Sequence, residues 1–184
     1  MLWATAPACT ELEIQCVEWL RDLLGLPERF AAAGPGGGVI QDSASSGTLA
    51  AILAARERAT ARRDGRRLTA YGSVDAHSSV EKGLRIAGIG GDDLRRIPVD
   101  ALGRMDAAAL AAALDADVAA GRLPFFVAAT VGTTACGAVD PVPEIAAAAG
   151  RHGAWLHVDA AWAGTAAICP ELRGPIVAGA AGAD

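Results

Sequence analysis

Among the 16 basic residues only Lys82 is a lysine. Any chemistry that needs a lysine amine therefore has one candidate in this chain, and Lys82 reads as a solvated helix residue. The four cysteines, Cys9, Cys16, Cys136 and Cys169, lack close metal-ligand spacing. This excludes a zinc cluster or a disulfide framework and points to free thiols in a reducing compartment. No basic-then-apolar start resembles a signal peptide. No apolar run is long enough to cross a bilayer, because the uncharged stretch Leu123 to Val139 is broken by Pro124, Gly132, Gly137 and three threonines. Neither the dinucleotide-binding glycine pattern nor a Gly-Lys-Ser/Thr phosphate loop occurs. Net charge is −5, and the arginines between Arg56 and Arg67 follow a helical pattern with acids among them. They read as a solvated face, not as a nucleic-acid surface. The expectation is a soluble cytoplasmic protein with no metal, nucleic-acid or membrane partner.

What the chain does contain is apolar material, 52% of its 184 residues and much of it alanine. That suffices for one sizeable core and one domain. Thr10 and Glu13 form a capping-box pattern ahead of Ile14, Val17, Leu20 and Leu24, and Gly25-Leu26-Pro27 ends that helix. A glycine-rich approach and Val39-Ile40 lead through Gln41–Gly47 into a helix from about Thr48 to Arg63. From there strands and helices alternate. Strands are expected at Leu68–Tyr71, Leu94–Val99, Pro124–Val131 and from Ala154 to Asp159. Helices are expected at Val80–Ile89, Asp106–Ala120 and Pro143–Ala149. Strands separated by helices imply an α/β layered structure with a mostly parallel sheet. The closing Val177–Asp184 reads as the approach to another strand, which suggests that the chain is part of a longer protein.

Ligands in open α/β sheets bind beyond the carboxyl ends of the strands. Four segments meet that description. The serine-rich turn Ser43-Ala44-Ser45-Ser46 opens a helix, where outward-pointing N–H groups and the helix dipole favour an anion such as phosphate. His77 follows the Tyr71 strand and could stack on an aromatic ring or exchange protons near neutral pH. Gly132-Thr133-Thr134 follows a buried strand. Asp159 ends the Trp155–Val158 run as a carboxylate that needs a positive or hydrogen-bonding partner, for which a protonated ring nitrogen would serve. Each feature alone is ordinary: a helix cap, a helix start, a turn, a strand end. Their order along the chain is the specific signal.

In these residues the sequence resembles the group II pyridoxal-phosphate-dependent decarboxylases, and within them the aromatic-L-amino-acid decarboxylases. The resemblance is carried by Pro7–Glu13, Gly36–Gln41, Ser43-Ala44-Ser45, Ala76–Lys82, Thr130–Thr134, His157–Ala161 and Ile168–Glu171. They are collinear over nearly the whole chain. The resemblance implies fold type I, the aspartate-aminotransferase-like large domain, with residues 1–184 forming a truncated part of it. It implies pyridoxal 5'-phosphate as cofactor, an amino-acid substrate and a homodimer. It assigns phosphate binding to Ala44 and Ser45, ring stacking to His77, a place near the ring and substrate to Thr134, packing on the other ring face to Ala161, and pairing with the pyridinium nitrogen to Asp159. His77, Thr134 and Asp159 are the catalytic candidates.

The chain departs from the family pattern at Asp42, at Ser46-Gly47 and at Trp162, which stands where tyrosine is usual. The family's Schiff-base lysine lies in an Asn-Pro-His-Lys motif that these residues do not contain, and neither do they contain the N-terminal segment or the C-terminal small domain. Two classes of function follow: decarboxylation of an L-amino acid by the longer protein, with residues 1–184 inactive alone, or a non-catalytic remnant that binds the cofactor weakly. Within the enzyme class, glutamate or histidine decarboxylation and oxidative aldehyde formation are the alternatives.

Overall fold

In the computed structural model, which describes residues 3–34 and 36–184, four parallel strands form one sheet. β1 (Leu68–Ser73), β2 (Leu94–Ile97), β3 (Leu123–Thr130) and β4 (Trp155–Asp159) stand in the order β2-β1-β3-β4. Six α-helices accompany them: α1 (Pro7–Leu24), α2 (Ala44–Thr60), α3 (Ser79–Ile86), α4 (Ala107–Ala119), α5 (Val142–His152) and α6 (Pro170–Val177). Every residue of the central strands β1 and β3 is buried. Both of their faces are covered by helices, so burial is continuous along them, without alternation, and β3 is apolar from Leu123 to Ala129.

Side-chain alternation along the strands divides the core in two. Tyr71, Val127 and Leu156 face α4 and α5, where they meet Leu110, Leu114 and Ile145. Ala70, Phe126 and Ala128 face α2 and α3, where they meet Ile52, Val80 and Leu84. Each large side chain fully removed from water here contributes about 1.5–3 kcal/mol. The first core also holds a buried polar group. The Tyr71 hydroxyl donates to Asp117 Oδ2 (2.7 Å), and Arg95 donates to both carboxylate oxygens (2.9 and 2.7 Å). Burial alone would raise the Asp117 pKa, but the hydrogen bonds from Arg95 and Tyr71 and the Arg95 and Arg122 charges hold it below the usual carboxylate range.

Several local expectations are corrected. Helix α1 begins at Pro7, three residues before Thr10. Thr10 therefore donates its hydroxyl back to Ala6 O (2.8 Å) while Glu13 accepts from Ile40 N–H (2.9 Å), and no capping box forms. Helix α2 begins at Ala44, not Thr48, because Ser43 takes the cap position and accepts from Ser46 N–H. The last segment is α6 and a 3-10 turn at Ala180–Gly182 instead of extended chain. Even so, Asp184 reaches the outer edge of β4: its N–H donates to Leu156 O (3.0 Å) and its carboxylate accepts from Leu156 N–H (2.9 Å). The arginines of α2 and of the segment just after it are more than a solvated face. Arg58 lies over the Trp155 ring at 4.7 Å, and Arg62 donates to Gly153 O and His152 O at the end of α5.

Candidate active site

Because all four strands run parallel, their carboxyl ends share one edge of the sheet. The chain after β1 delivers His77 there, the chain after β3 delivers Thr133 and Thr134, and β4 ends on Asp159 with Ala161 just beyond. Helix α2 leads into the start of β1, so its opposite end, with Ala44 and Ser45, returns to the same edge. One contact fixes this placement: Thr48, one turn into α2, has its hydroxyl 3.5 Å from Nε2 of His157 on β4. All six residues singled out from the sequence therefore lie along one sheet edge.

At the α2 end the first helical amides, those of Ala44 and Ser45, have no acceptor within the helix. Ser46 N–H is taken by Ser43 Oγ (3.3 Å), and the Thr48 hydroxyl by Ala44 O (3.0 Å). Ala44 and Ser45 are exposed. Across the edge, His77 is exposed, with Nδ1 3.2 Å from Ser79 N–H and 3.0 Å from Ser79 Oγ. A backbone N–H can only donate, so Nδ1 accepts and the neutral ring carries its proton on Nε2. His77 thus serves as the start of α3 and still presents a ring face and an N–H outward.

Asp159 is half-buried. Its Oδ1 accepts from Ala161 N–H (3.1 Å), and it forms no ion pair among the described residues. Its carbonyl accepts from Val131 N–H (2.8 Å), and Thr130 is its register partner on β3. By strand alternation Asp159 and His157 face the α2 side together. Burial lowers the His157 pKa, with the Asp159 charge opposing, and the ring stacks on Phe126 at 5.8 Å. Beside this strand, an apolar cavity of about 250 Å³ is bordered by His157, Ala160, Phe30 and Ile176.

The turn after β3 is closed by its own backbone. Gly132 and Thr133 N–H donate to Ala138 O (both 2.9 Å), Gly137 N–H donates to Thr133 O (2.8 Å), and Thr133 Oγ1 accepts from Ala138 N–H (3.0 Å). Thr133 is buried and Thr134 is exposed at the tip. Asp140 anchors the base of the turn, accepting from Thr130 N–H (2.8 Å) and Met105 N–H (2.7 Å). Its pKa is raised by burial, against those two hydrogen bonds.

Sequence reasoning assigned no role to His157 or Asp140. For His157 the signal was its position two residues before Asp159, on the same strand face. For Asp140 nothing in the local pattern separated a buried anchor from a residue preceding a helix.

Comparison with known proteins agrees with this fold. The family model described as the pyridoxal-dependent decarboxylase conserved domain matches residues 1–184. The aromatic-L-amino-acid decarboxylase of Bos taurus is 50% identical over 93% of this chain and 37% of its own length. A tyrosine decarboxylase of Oryza sativa subsp. japonica is 47% identical over 99% of this chain and 35% of its own length. The crystal structure of Oryza sativa TDC with PLP and tryptamine superposes with a TM-score of 0.95 at 42% identity, covering 99% of this chain and 39% of that one. The Rhodiola rosea 4-hydroxyphenylacetaldehyde synthase also reaches a TM-score of 0.95, at 36% identity, covering 99% of this chain and 40% of that one. The chain thus spans less than two-fifths of the length of the curated relatives it matches. With the family model matched from end to end and a parallel sheet whose carboxyl edge gathers the expected residues, the chain belongs to the pyridoxal-dependent decarboxylase family.

Proposed function

We propose that the protein to which these residues belong removes the α-carboxylate of an aromatic L-amino acid as carbon dioxide and yields the amine, with pyridoxal 5'-phosphate as cofactor. The observation that carries this reading is the Asp159 carboxylate at the carboxyl end of β4, half-buried and without an ion-pair partner among the described residues, on the same edge as the open amides of α2. The donor set fits the group. A phosphate suits two partnerless helix amides, a protonated ring nitrogen suits a carboxylate with one oxygen unoccupied, and an aromatic ring suits an exposed imidazole and the small Ala161 on the same sheet edge.

When bound, the cofactor supplies an electron sink for the pair released as the carboxylate leaves. The chain's own residues supply the setting. Ala44 and Ser45 hold the phosphate through N–H groups and a hydroxyl. Asp159 keeps the ring nitrogen protonated, since a carboxylate within about 4–6 Å favours the charged form. His77 covers one ring face and offers Nε2–H, Ala161 packs on the other face, and Thr134 stands at the substrate end. Lys82 is exposed on α3, so the reading assigns the cofactor-binding lysine to residues outside these 184, and the 184 alone are inactive. The apolar residues exposed on α1 and after it, Leu12, Trp19, Leu23, Val39 and Ile40, support a homodimer for the whole protein.

Identity favours aromatic substrates, since the relatives named for tyrosine, tryptophan and aromatic amino acids are 44–50% identical to this chain. The likeness to an aldehyde synthase favours a second reading, oxidative aldehyde formation at the same site. The test is carbon dioxide release by the full-length protein from tyrosine, tryptophan and phenylalanine, with glutamate and histidine as comparisons and with amine and aldehyde both quantified. Amine formation from an aromatic substrate is expected. Turnover confined to glutamate or histidine, or aldehyde as the sole product, would overturn the respective part of the reading.

A further inference from the structure

Trp162 is 61% exposed, an unusual setting for so large an apolar side chain, and it sits on bare backbone. A Cβ placed on Gly132 would lie 3.1 Å from Trp162 Cε2 and 3.2 Å from Cζ2, and one placed on Gly137 would lie 3.7 Å from Cζ2 and 3.9 Å from Cη2. The six-membered ring of the indole therefore lies against both ends of the turn that carries Thr134, where the absence of side chains lets it approach. Within the turn, Thr134, Ala135 and Cys136 are exposed, and the hydrogen bonds that close it run among Gly132, Thr133, Cys136, Gly137 and Ala138. They set the shape of the turn; its base is joined to β4, where Val131 N–H donates to Asp159 O (2.8 Å), and no hydrogen bond among the described residues joins the exposed tip, residues 134–136, to β4. Trp162 lies in the turn that follows β4, where its carbonyl accepts from the Thr165 hydroxyl (3.2 Å) and Gly164 N–H donates to Ala160 O (2.9 Å).

We propose that Trp162 is a positioning residue that holds the Thr133–Gly137 turn against the Asp159–Ala161 segment and so sets where Thr134 stands at the site. This rests on the reading of the site given above. The indole spans both glycines through one ring edge, a reach that the narrower phenol of tyrosine covers only in part. Removing the indole frees the tip of the turn to shift about its anchored base without breaking its internal bonds. Because the side chain is mostly exposed, its loss costs little global stability.

Two measurements on the full-length protein test this. The first is amide exchange of the cofactor-free protein, which does not depend on the functional reading. In Trp162→Ala the peptide covering residues 131–139 is expected to exchange about tenfold faster, while peptides from β1 and β3 are unchanged and Trp162→Tyr falls between. Unchanged exchange in 131–139 would overturn the proposal. The second is a double-mutant cycle on turnover. Trp162→Ala is expected to lower kcat by about 10- to 100-fold, the scale of a displacement near 1 Å, with KM changed less. If Trp162 acts through Thr134, the Trp162→Ala/Thr134→Ala pair loses no more than Thr134→Ala alone, whereas multiplied losses would overturn that route. A full-length protein without activity, combined with the expected exchange pattern, would sink the functional reading and leave the positioning role standing.

Discussion

At the residue scale His157 is the side chain whose surroundings have the plainest consequence. It is pressed between Phe126 and Thr48, two residues from Asp159, and burial lowers its pKa. The unfolded chain takes up a proton near pH 6.5 that the folded chain refuses until lower pH. The unfolded state then binds more protons in that window, so the stability contribution is intact above about pH 6.5 and falls as pH drops below it. Denaturant midpoints of the cofactor-free protein at pH 7.5 and 5.5 should fall further for the parent than for His157→Gln. Equal losses would contradict the account. The residue was legible in the sequence only as part of a motif, because its role depends on Thr48, which lies far away in the chain and meets it only when α2 returns to the sheet edge.

At the element scale the strand–helix alternation was readable because β1 and β3 are buried on both faces and the helices between strands either carry an apolar stripe, as α3 and α5 do, or are alanine-rich, as α4 is. The boundaries shifted where capping competed with pattern. The serines before α2 looked like a loop, but Ser43 caps the helix and draws Ala44 and Ser45 into its first turn, which is the feature that leaves their amides open. The closing Val177–Asp184 read as the approach to another strand; it holds a 3-10 turn at Ala180–Gly182 and brings Asp184 to the edge of β4. The turn after β3 depends on Gly132, whose φ of +89° belongs to a region that side chains disfavour and whose added Cβ would lie 2.5 Å from Ala163 Cβ. Gly132→Ala should therefore cost about 2–4 kcal/mol, combining left-handed backbone strain with overpacking. Urea unfolding of the full-length protein measures this, and a cost under about 0.5 kcal/mol would show that the turn adapts freely.

At the scale of the whole molecule the sheet topology does the organising. Three strand ends and one helix start that are far apart in sequence converge because every crossover returns the chain to the same side. The collinear order of motifs anticipated that convergence; the supporting contacts, Asp140 beneath the turn and Trp162 against it, arise only from packing. The central claim is that Asp159 governs the charge of the cofactor ring. Its most direct test is the Asp159→Ala variant of the full-length protein, followed by carbon dioxide release and by cofactor binding. Loss of the carboxylate should lower the pKa of the ring nitrogen and slow decarboxylation by about 10- to 1,000-fold, while the phosphate contacts proposed for Ala44 and Ser45 would keep the cofactor bound. Decarboxylation at the parent rate by a cofactor-loaded Asp159→Ala protein would contradict it.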